Sequence, residues 1–219
     1  LAAEYFLREA KSVAKLRHPN IIQIIDFGKD GDDTLFLAME FVPGSLLTDI
    51  LVDEFPLQKE LIIDLMQQTL SGLDEAHAHH IIHRDLKPSN ILVSIGEGDI
   101  LEPKIIDFGI AKAISQQLTE ETIHTQAGQM MGTLLYMSPE QVRQDPLGPP
   151  SDLYSLGAVI YQLLTGVSPF QFTAMPQLFE AIKNEPAPSV RKLRPDVPPE
   201  LAQIVEKLLY KNPEQRYAN

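Results

Sequence analysis

One short window of the sequence, HRDLKPSN, concentrates side chains that can do acid–base and cation chemistry. It sets Asp85, Lys87 and Asn90 between the apolar runs Ile81–Ile82 and Ile91–Val93. Polar groups beside apolar runs carry a desolvation cost unless they have partners. We therefore interpret the window as a functional site rather than as ordinary surface.

The residue types in this window indicate phosphoryl transfer. The Asp85 carboxylate can accept a proton from a hydroxyl group, and Lys87 supplies a positive charge close by. Asn90 offers an oxygen ligand for a hard cation such as Mg²⁺. A second such ligand, Asp107, ends a short predicted strand further on, and a hairpin would bring the two together. A base, a lysine and two cation ligands are the parts that phosphoryl transfer requires.

Composition narrows the class of protein. The 219 residues include 18 Lys and Arg against 30 Asp and Glu, a formal net charge of −12. This balance argues against a nucleic acid or an anionic membrane surface as the partner. The chain has no cysteine, so it has no disulfide and no thiolate metal site. No apolar run approaches the roughly 18 residues of a membrane helix, and the composition is compatible with a cytoplasmic protein.

Hydrophobic periodicity and turn residues predict a small mixed lobe followed by a larger helical lobe, with a cleft for a ligand between them. The predicted elements are a helix over 2–17, strands over 21–28 and 34–42, helices over 45–51 and 57–78, strands over 90–94 and 103–107, a buried helix over 152–166 and a helix beginning at Pro198. Residues 109–150 and 186–199 are predicted to be irregular.

Several motifs in order carry a family resemblance. HRDLKPSN is followed by DFG, by GTLLYMSPE, by SDLYSLGAVIYQLLTG and, late in the chain, by KNPEQRY. The chain thus resembles the catalytic domain of bacterial eukaryotic-like (Hanks-type) serine/threonine protein kinases. The resemblance implies an α+β, protein-kinase-like bilobal fold. It divides into a truncated N-lobe with the hinge over 1–42, holding helix C and two strands, and a mainly α-helical C-lobe over 43–219.

The resemblance assigns roles to the polar window. Asp85 matches the catalytic base, Lys87 the residue that steadies the transferred phosphate, and Asn90 and Asp107 the metal ligands. It implies ATP with Mg²⁺ or Mn²⁺ as cofactors and Ser or Thr hydroxyls of proteins as substrates. Lys87 and Thr133 favour a Ser/Thr enzyme over a tyrosine kinase, because the family's Ser/Thr members join base and lysine through this threonine.

Further matches concern the nucleotide. Glu9 resembles the helix-C glutamate that pairs with an ATP-anchoring lysine. Met39 matches the gatekeeper, and Glu40 and Val42 belong to the hinge that binds adenine through its backbone. Leu92 would lie beneath the adenine ring.

The remaining matches concern regulation and structure. Arg84 would bind a phosphate on the activation segment, with Thr125 as the first candidate for phosphorylation and Thr122 as the second. Thr133 closes that segment, and self-association for autophosphorylation is a further implication. The structural residues implied are Glu140 with its ion-pair partner Arg216, and Asp152, which holds the catalytic loop.

Two departures from the family pattern shape the expectations. The hairpin between Asn90 and Asp107 is longer than usual. The Gly-rich loop and the ATP-anchoring lysine would lie before Glu9. We therefore expect a fragment with little or no kinase activity by itself, within a parent protein that is active. Whether that parent protein is anchored in a membrane stays open. A pseudokinase or docking module is the alternative. A small-molecule kinase is the third hypothesis, against which Arg84, Thr133 and Glu140 weigh.

Overall fold

The computed structural model of the chain describes residues 2–31, 34–53, 55–96, 100–108, 132–172 and 174–218. Its helices and strands follow in chain order. They are α1 (Ala2–Val13), β1 (Ile24–Lys29), β2 (Leu35–Met39), β3 (Ser45–Leu46), α2 (Leu47–Asp53), α3 (Lys59–Ala78), a 3₁₀ turn (Pro88–Asn90), β4 (Ile91–Ile95), β5 (Leu101–Ile105), α4 (Pro139–Arg143), α5 (Pro149–Thr165), α6 (Met175–Asn184), α7 (Val190–Leu193), α8 (Pro199–Leu208) and a 3₁₀ turn (Pro213–Gln215).

The N-terminal part consists of α1 packed on the antiparallel pair β1–β2. The ladder runs from Ile24 opposite Met39 to Lys29 opposite Leu35. Helix α1 buries one apolar face, including Ala10, and leaves its polar face outside, as an amphipathic helix does. It ends earlier than predicted, because the chain tightens after Val13 into turns of the 3₁₀ type.

A second sheet has the order β3–β4–β5. The prediction of a helix from residue 45 is wrong at its start, since Ser45 and Leu46 pair with β4 at Val93 and Leu92. The reason is a close backbone approach just before β3. A Cβ atom on Gly44 would lie 2.3 Å from the carbonyl oxygen of Val93, so glycine allows the chain to lie on β4 before α2 begins.

The segment between α1 and β1 attaches the N-terminal part to the second sheet. The backbone N–H of Ile22 donates to Ile105 O at 2.9 Å, and that of Ile105 donates to Asn20 O at 2.8 Å. The Asn20 side chain also donates to Pro103 O at 2.9 Å. Asn20 is buried, so these bonds satisfy polar groups that burial would otherwise leave without partners.

Helix α5 is the centre of the C-terminal part and, as predicted, is buried on nearly all sides. Helices α3 and α8 pack against it. At Gly157 the approach of α8 is so close that a Cβ atom would lie 2.7 Å from the Leu208 Cβ. Asp152 lies in the first turn of α5 and is buried.

Three short helices lie where the sequence predicts loops or where no element is predicted, namely α4, α6 and α7. Helix α4 begins with a capping box in which Ser138 Oγ accepts from Gln141 N and Gln141 Oε1 accepts from Ser138 N. The spacing Ser-x-x-Gln with Pro139 in the first turn is a recognisable start signal. None of the helices in the described ranges is long and apolar enough to cross a membrane.

Candidate active site

Asp152 anchors the loop that carries the polar window. Its Oδ1 accepts from the backbone N–H of Arg84 at 2.9 Å, and its Oδ2 accepts from that of His83 at 2.8 Å. His77 Nε2 lies 2.8 Å from the same Oδ2. Arg84 adopts φ 66°, a left-handed conformation that costs free energy in a non-glycine residue. The two hydrogen bonds that Asp152 accepts hold the backbone in that conformation. A third hydrogen bond, from Gln141 Nε2 to Arg84 O at 2.7 Å, holds the same residue.

The turn that this geometry creates brings the candidate base and lysine together. Lys87 Nζ lies 3.0 Å from Asp85 Oδ2 and 3.0 Å from Thr133 Oγ1. Asn90 Nδ2 donates to Asp85 O at 2.8 Å and to Asp85 Oδ2 at 3.3 Å. These contacts orient the Asp85 carboxylate from two sides. They also join the polar window to the GTLLYMSPE segment through Thr133.

His83 links the loop of Asp85 to the end of β5, where Asp107 lies. Its Nδ1 accepts from Asp85 N at 3.2 Å, so Nε2 carries the proton that it shares with Ile106 O at 3.0 Å. Burial lowers the pKa of His83 despite the nearby carboxylates of Asp152, Asp85 and Asp107, and the ring is therefore neutral at pH 7. The imidazole acts as a rigid spacer between the two loops.

Asp107 follows β5 with an exposed side chain and φ 61°, a conformation that aspartate tolerates better than most residues. Two contacts hold this stretch beside Asn90 and His83. Ile106 N donates to Asn90 O at 2.9 Å, and the ring of Phe108 lies 4.8 Å from that of His83.

The donor set fits Mg²⁺ held partly by a substrate. The Asn90 side chain hydrogen-bonds to the described residues only through Nδ2, so its Oδ1 accepts no hydrogen bond from them. The Asp107 carboxylate accepts none from them either. Both are hard oxygen donors. Within the described ranges no group of three or more His, Asp or Glu side chains forms a metal cage. Mg²⁺ is commonly bound by one or two carboxylates together with substrate phosphates, which is the arrangement these residues allow.

The residues predicted to contact a nucleotide lie on β2, on the segment after it and on β4. Met39 ends β2, Val42 follows it, and Leu92 pairs with Lys104 across β4–β5. Glu40 contributes more than backbone, which the sequence did not reveal. Its Oε1 accepts from Gln23 N and from Lys104 Nζ, both at 2.9 Å. Burial would raise the pKa of Glu40, but these two donors outweigh it and hold the pKa below its ordinary value.

The residues predicted to anchor ATP from helix C and to be phosphorylated lie apart from these contacts or outside the described residues. Glu9 is half-buried on α1, and its carboxylate lies 3.4 Å from Arg8. Thr122 and Thr125 fall in 109–131, outside the described residues. The roles predicted for Glu9, Arg84 and these threonines therefore stay predictions.

Glu140 and Arg216 form a buried, two-pronged ion pair. Arg216 Nη1 donates to Glu140 Oε1 at 2.7 Å and Nη2 donates to Oε2 at 2.8 Å. The guanidinium also donates to three backbone oxygens, those of Tyr210, Pro150 and Lys211. Its donors are thus satisfied, as a buried charge requires. The pair fastens the start of α4 to the last turn of the chain.

The fold and this arrangement define the class of protein, and comparison with known families names it. The chain matches the family model of the protein kinase domain over residues 2–219, and it belongs to that family. The predicted family and fold class are thereby confirmed.

The similar proteins include bacterial serine/threonine-protein kinases and one solved structure with a bound nucleotide analogue. The chain is 42% identical over 217 residues to the serine/threonine-protein kinase pkn3 of Myxococcus xanthus, covering 98% of this chain and 39% of that protein. It is 39% identical over 219 residues to the probable serine/threonine-protein kinase PknB of Lactococcus lactis, covering 100% and 33%. A crystal structure of Rad53 1-466 in complex with AMP-PNP gives a TM-score of 0.80 at 28% identity, covering 98% of this chain and 52% of that one. The chain thus spans 33–39% of the length of these two bacterial relatives.

Proposed function

We propose that this chain is the catalytic domain of a serine/threonine protein kinase, which transfers the γ-phosphate of ATP to Ser and Thr hydroxyls of proteins. The observation that carries the proposal is the contact set of Asp85 with Lys87 and Asn90, next to the loop of Asp107. A carboxylate beside a lysine and two oxygen ligands is the set that phosphoryl transfer uses. The names of the bacterial relatives agree with it.

In the proposed reaction, the acceptor oxygen forms a bond to the γ-phosphorus while the bond between the γ-phosphorus and the β,γ-bridging oxygen of ATP breaks, and that oxygen leaves with ADP. The hydroxyl proton passes to Asp85, whose Oδ2 is held by Lys87 and Asn90. Lys87 offers positive charge to the transferred group. Asn90 Oδ1 and Asp107 would hold Mg²⁺, which supplies charge neutralisation on the phosphates.

The boundaries and setting of the domain are part of the same proposal. We assign residues 1–42 to the N-lobe and hinge and residues 43–219 to the C-lobe. The acidic balance of the chain supports protein rather than nucleic acid as the substrate. Use of ATP supports a cytoplasmic location for the domain, and autophosphorylation would bring two copies together.

The proposed function is tested with the full-length natural protein that carries this chain. Incubation with γ-labelled ATP, Mg²⁺ and a generic basic protein should give labelled phosphoserine or phosphothreonine, and a chelator should stop the labelling. Phosphoamino-acid analysis distinguishes the products. Nucleotide binding without any labelled protein would instead support the pseudokinase alternative, and label on tyrosine alone would contradict the Ser/Thr assignment.

A second expected result concerns Thr125 as a regulatory phosphosite. Thr125→Ala in the full-length protein should lower the phosphorylation rate by about fivefold or more, the usual size of a regulatory coupling, because Arg84 would lose the phosphate it pairs with. The affinity for ATP should change little. Thr119→Ala is the matched control within the same segment. Wild-type rates in Thr125→Ala would rule out the switch.

A further inference from the structure

The side chain of Gln141 joins helix α4 to the loop that carries the candidate base. Its Oε1 accepts from Ser138 N at 2.9 Å, and its Nε2 donates to Arg84 O at 2.7 Å. The orientation of the amide is unambiguous, because a backbone N–H can only donate and a backbone carbonyl can only accept. Gln141 therefore caps the helix with one end of its amide and holds a residue 57 positions earlier in the chain with the other end.

The hydrogen bond to Arg84 O fixes one end of the peptide unit that leads into Asp85. At the other end of the same unit, Asp85 N donates to His83 Nδ1 at 3.2 Å. A peptide unit is planar and rigid, so hydrogen bonds at its oxygen and at its nitrogen together set its orientation. The Cα atom of Asp85 belongs to this unit, and the direction in which the carboxylate leaves the backbone follows from it.

This peptide unit needs support, because Arg84 adopts φ 66°. A non-glycine residue keeps such a conformation only where the surrounding structure restrains it. Asp152 restrains the N–H side of Arg84, and Gln141 restrains its carbonyl side. The torsion angle ψ of Arg84, which sets the direction of its carbonyl, is thus restrained from α4.

Helix α4 is a firm base for this contact. Glu140, the residue before Gln141, is tied to Arg216 by the buried two-pronged ion pair. Val142 N donates to Ser138 O at 3.1 Å, which closes the first helical turn around Gln141. A donor on an anchored backbone restrains its partner, since the donor does not readily follow a shift of the loop.

The choice of glutamine at position 141 separates the two contacts by their chemistry. A helix cap of this kind is completed by either Glu or Gln, because it requires only a side-chain oxygen. The contact with Arg84 O requires a donor, which an amide has and an ionised carboxylate lacks. The cap alone therefore does not account for the N–H that Gln141 directs at the loop.

We propose that Gln141 is a positioning residue for the chemical step, which holds the Arg84–Asp85 peptide unit so that the Asp85 carboxylate meets the acceptor hydroxyl. The inference rests on the proposed function. Gln141 acts through the backbone of Arg84 and is not itself a catalytic group. A misplacement of about 1 Å can lower a rate by about 10²-fold, so this contact should affect the chemical step more than the binding of ATP.

The test uses Gln141→Glu in the full-length protein. The new carboxylate still accepts from Ser138 N and completes the cap, but it cannot donate to Arg84 O. We expect kcat to fall by about tenfold or more while KM for ATP stays close to wild type, the pattern of a contact that matters in the transition state. The rate is expressed per nucleotide site, counted from the stoichiometry of AMP-PNP binding with Mg²⁺, so that misfolded molecules do not lower it.

Two further variants separate positioning from folding. Ser138→Ala removes Ser138 Oγ, which accepts from Gln141 N at 3.3 Å, and leaves both hydrogen bonds of the Gln141 amide in place. It tests the cap alone and should keep the wild-type kcat per site. Gln141→Met keeps a side chain of similar length without either hydrogen bond of the amide, so its kcat per site should fall as in Gln141→Glu.

The outcomes separate this inference from the proposed function. Wild-type kcat per site in Gln141→Glu, with or without a raised KM for ATP, would overturn the positioning role alone, as would an equal loss in Ser138→Ala. If Gln141→Glu binds no AMP-PNP, Gln141→Met decides in the same way. A loss in the Gln141 variants with Ser138→Ala unchanged supports the role. If the wild-type protein phosphorylates nothing, the proposed function fails and this inference falls with it.

Discussion

Asp107→Ala is expected to reduce phosphoryl transfer by the full-length protein by about 10²–10³-fold, the scale of losing one preorganised electrostatic group. The carboxylate is one of the two oxygen ligands proposed for Mg²⁺, and it is exposed and accepts no hydrogen bond from the described residues. Without this ligand Mg²⁺ would be held less well, so the negative charge of the ATP phosphates would be less neutralised and the phosphates less well positioned. The measurement is the initial rate of labelled phosphate transfer at saturating ATP and Mg²⁺.

The sequence contains its own control for this variant. Asp26-Phe27-Gly28 repeats the Asp-Phe-Gly tripeptide on β1, and Asp26 is exposed, with its Oδ1 accepting from Phe27 N at 2.9 Å. Asp26→Ala should leave the rate close to wild type, which shows that tripeptide identity alone does not give the effect. Retained activity in Asp107→Ala, with the fold intact, would refute its role as a metal ligand.

Arg216→Met is expected to destabilise the C-terminal part by about 3–5 kcal/mol of unfolding free energy. The guanidinium is fully buried and is the bidentate partner of Glu140, whose side chain is only 3% exposed. Removing it leaves a buried carboxylate unpaired and three backbone oxygens without their donor. Pulse proteolysis of the full-length protein in urea, following fragments from this domain, gives the free energy.

A double variant and a surface variant serve as controls. Glu140→Gln with Arg216→Met removes both charges, so much of the loss should be recovered. Asp196→Ala breaks the ion pair with Lys59 on the surface, where Asp196 is 59% exposed, and should change stability little. An Arg216→Met effect no larger than that of Asp196→Ala would contradict the structural role of the buried pair.

The same pair predicts a pH dependence. Burial would raise the pKa of Glu140, but the hydrogen bonds and charge of Arg216 outweigh it and hold the pKa below the ordinary value of 4.5. A carboxyl with a depressed folded pKa stabilises the fold above its unfolded pKa and loses that contribution as the pH falls through the folded value. The stability difference between wild type and Glu140→Gln should therefore be full above pH 4.5 and shrink below it.

Local patterns in the sequence carry much of the fold. The helical spacing over 57–78 and the largely apolar run over 152–166 correspond closely to α3 and α5, because such periods are set by backbone geometry and burial. Short elements were harder to predict. The strand Ser45–Leu46 exists only because β4 lies beside it, and α6 packs against α4 and the segment before it.

The sequence by itself determined the protein kinase family of the domain, and the order of its motifs predicts a base, a lysine and two oxygen ligands. Only the tertiary structure decided how these groups are oriented. The left-handed turn at Arg84 is held by a hydrogen bond to Asp152, which is distant in the chain. The Glu40 carboxylate accepts a hydrogen bond from Lys104, which lies on β5 of the second sheet. Such contacts join residues far apart in sequence, and their free energy arises only once the core has packed around α5.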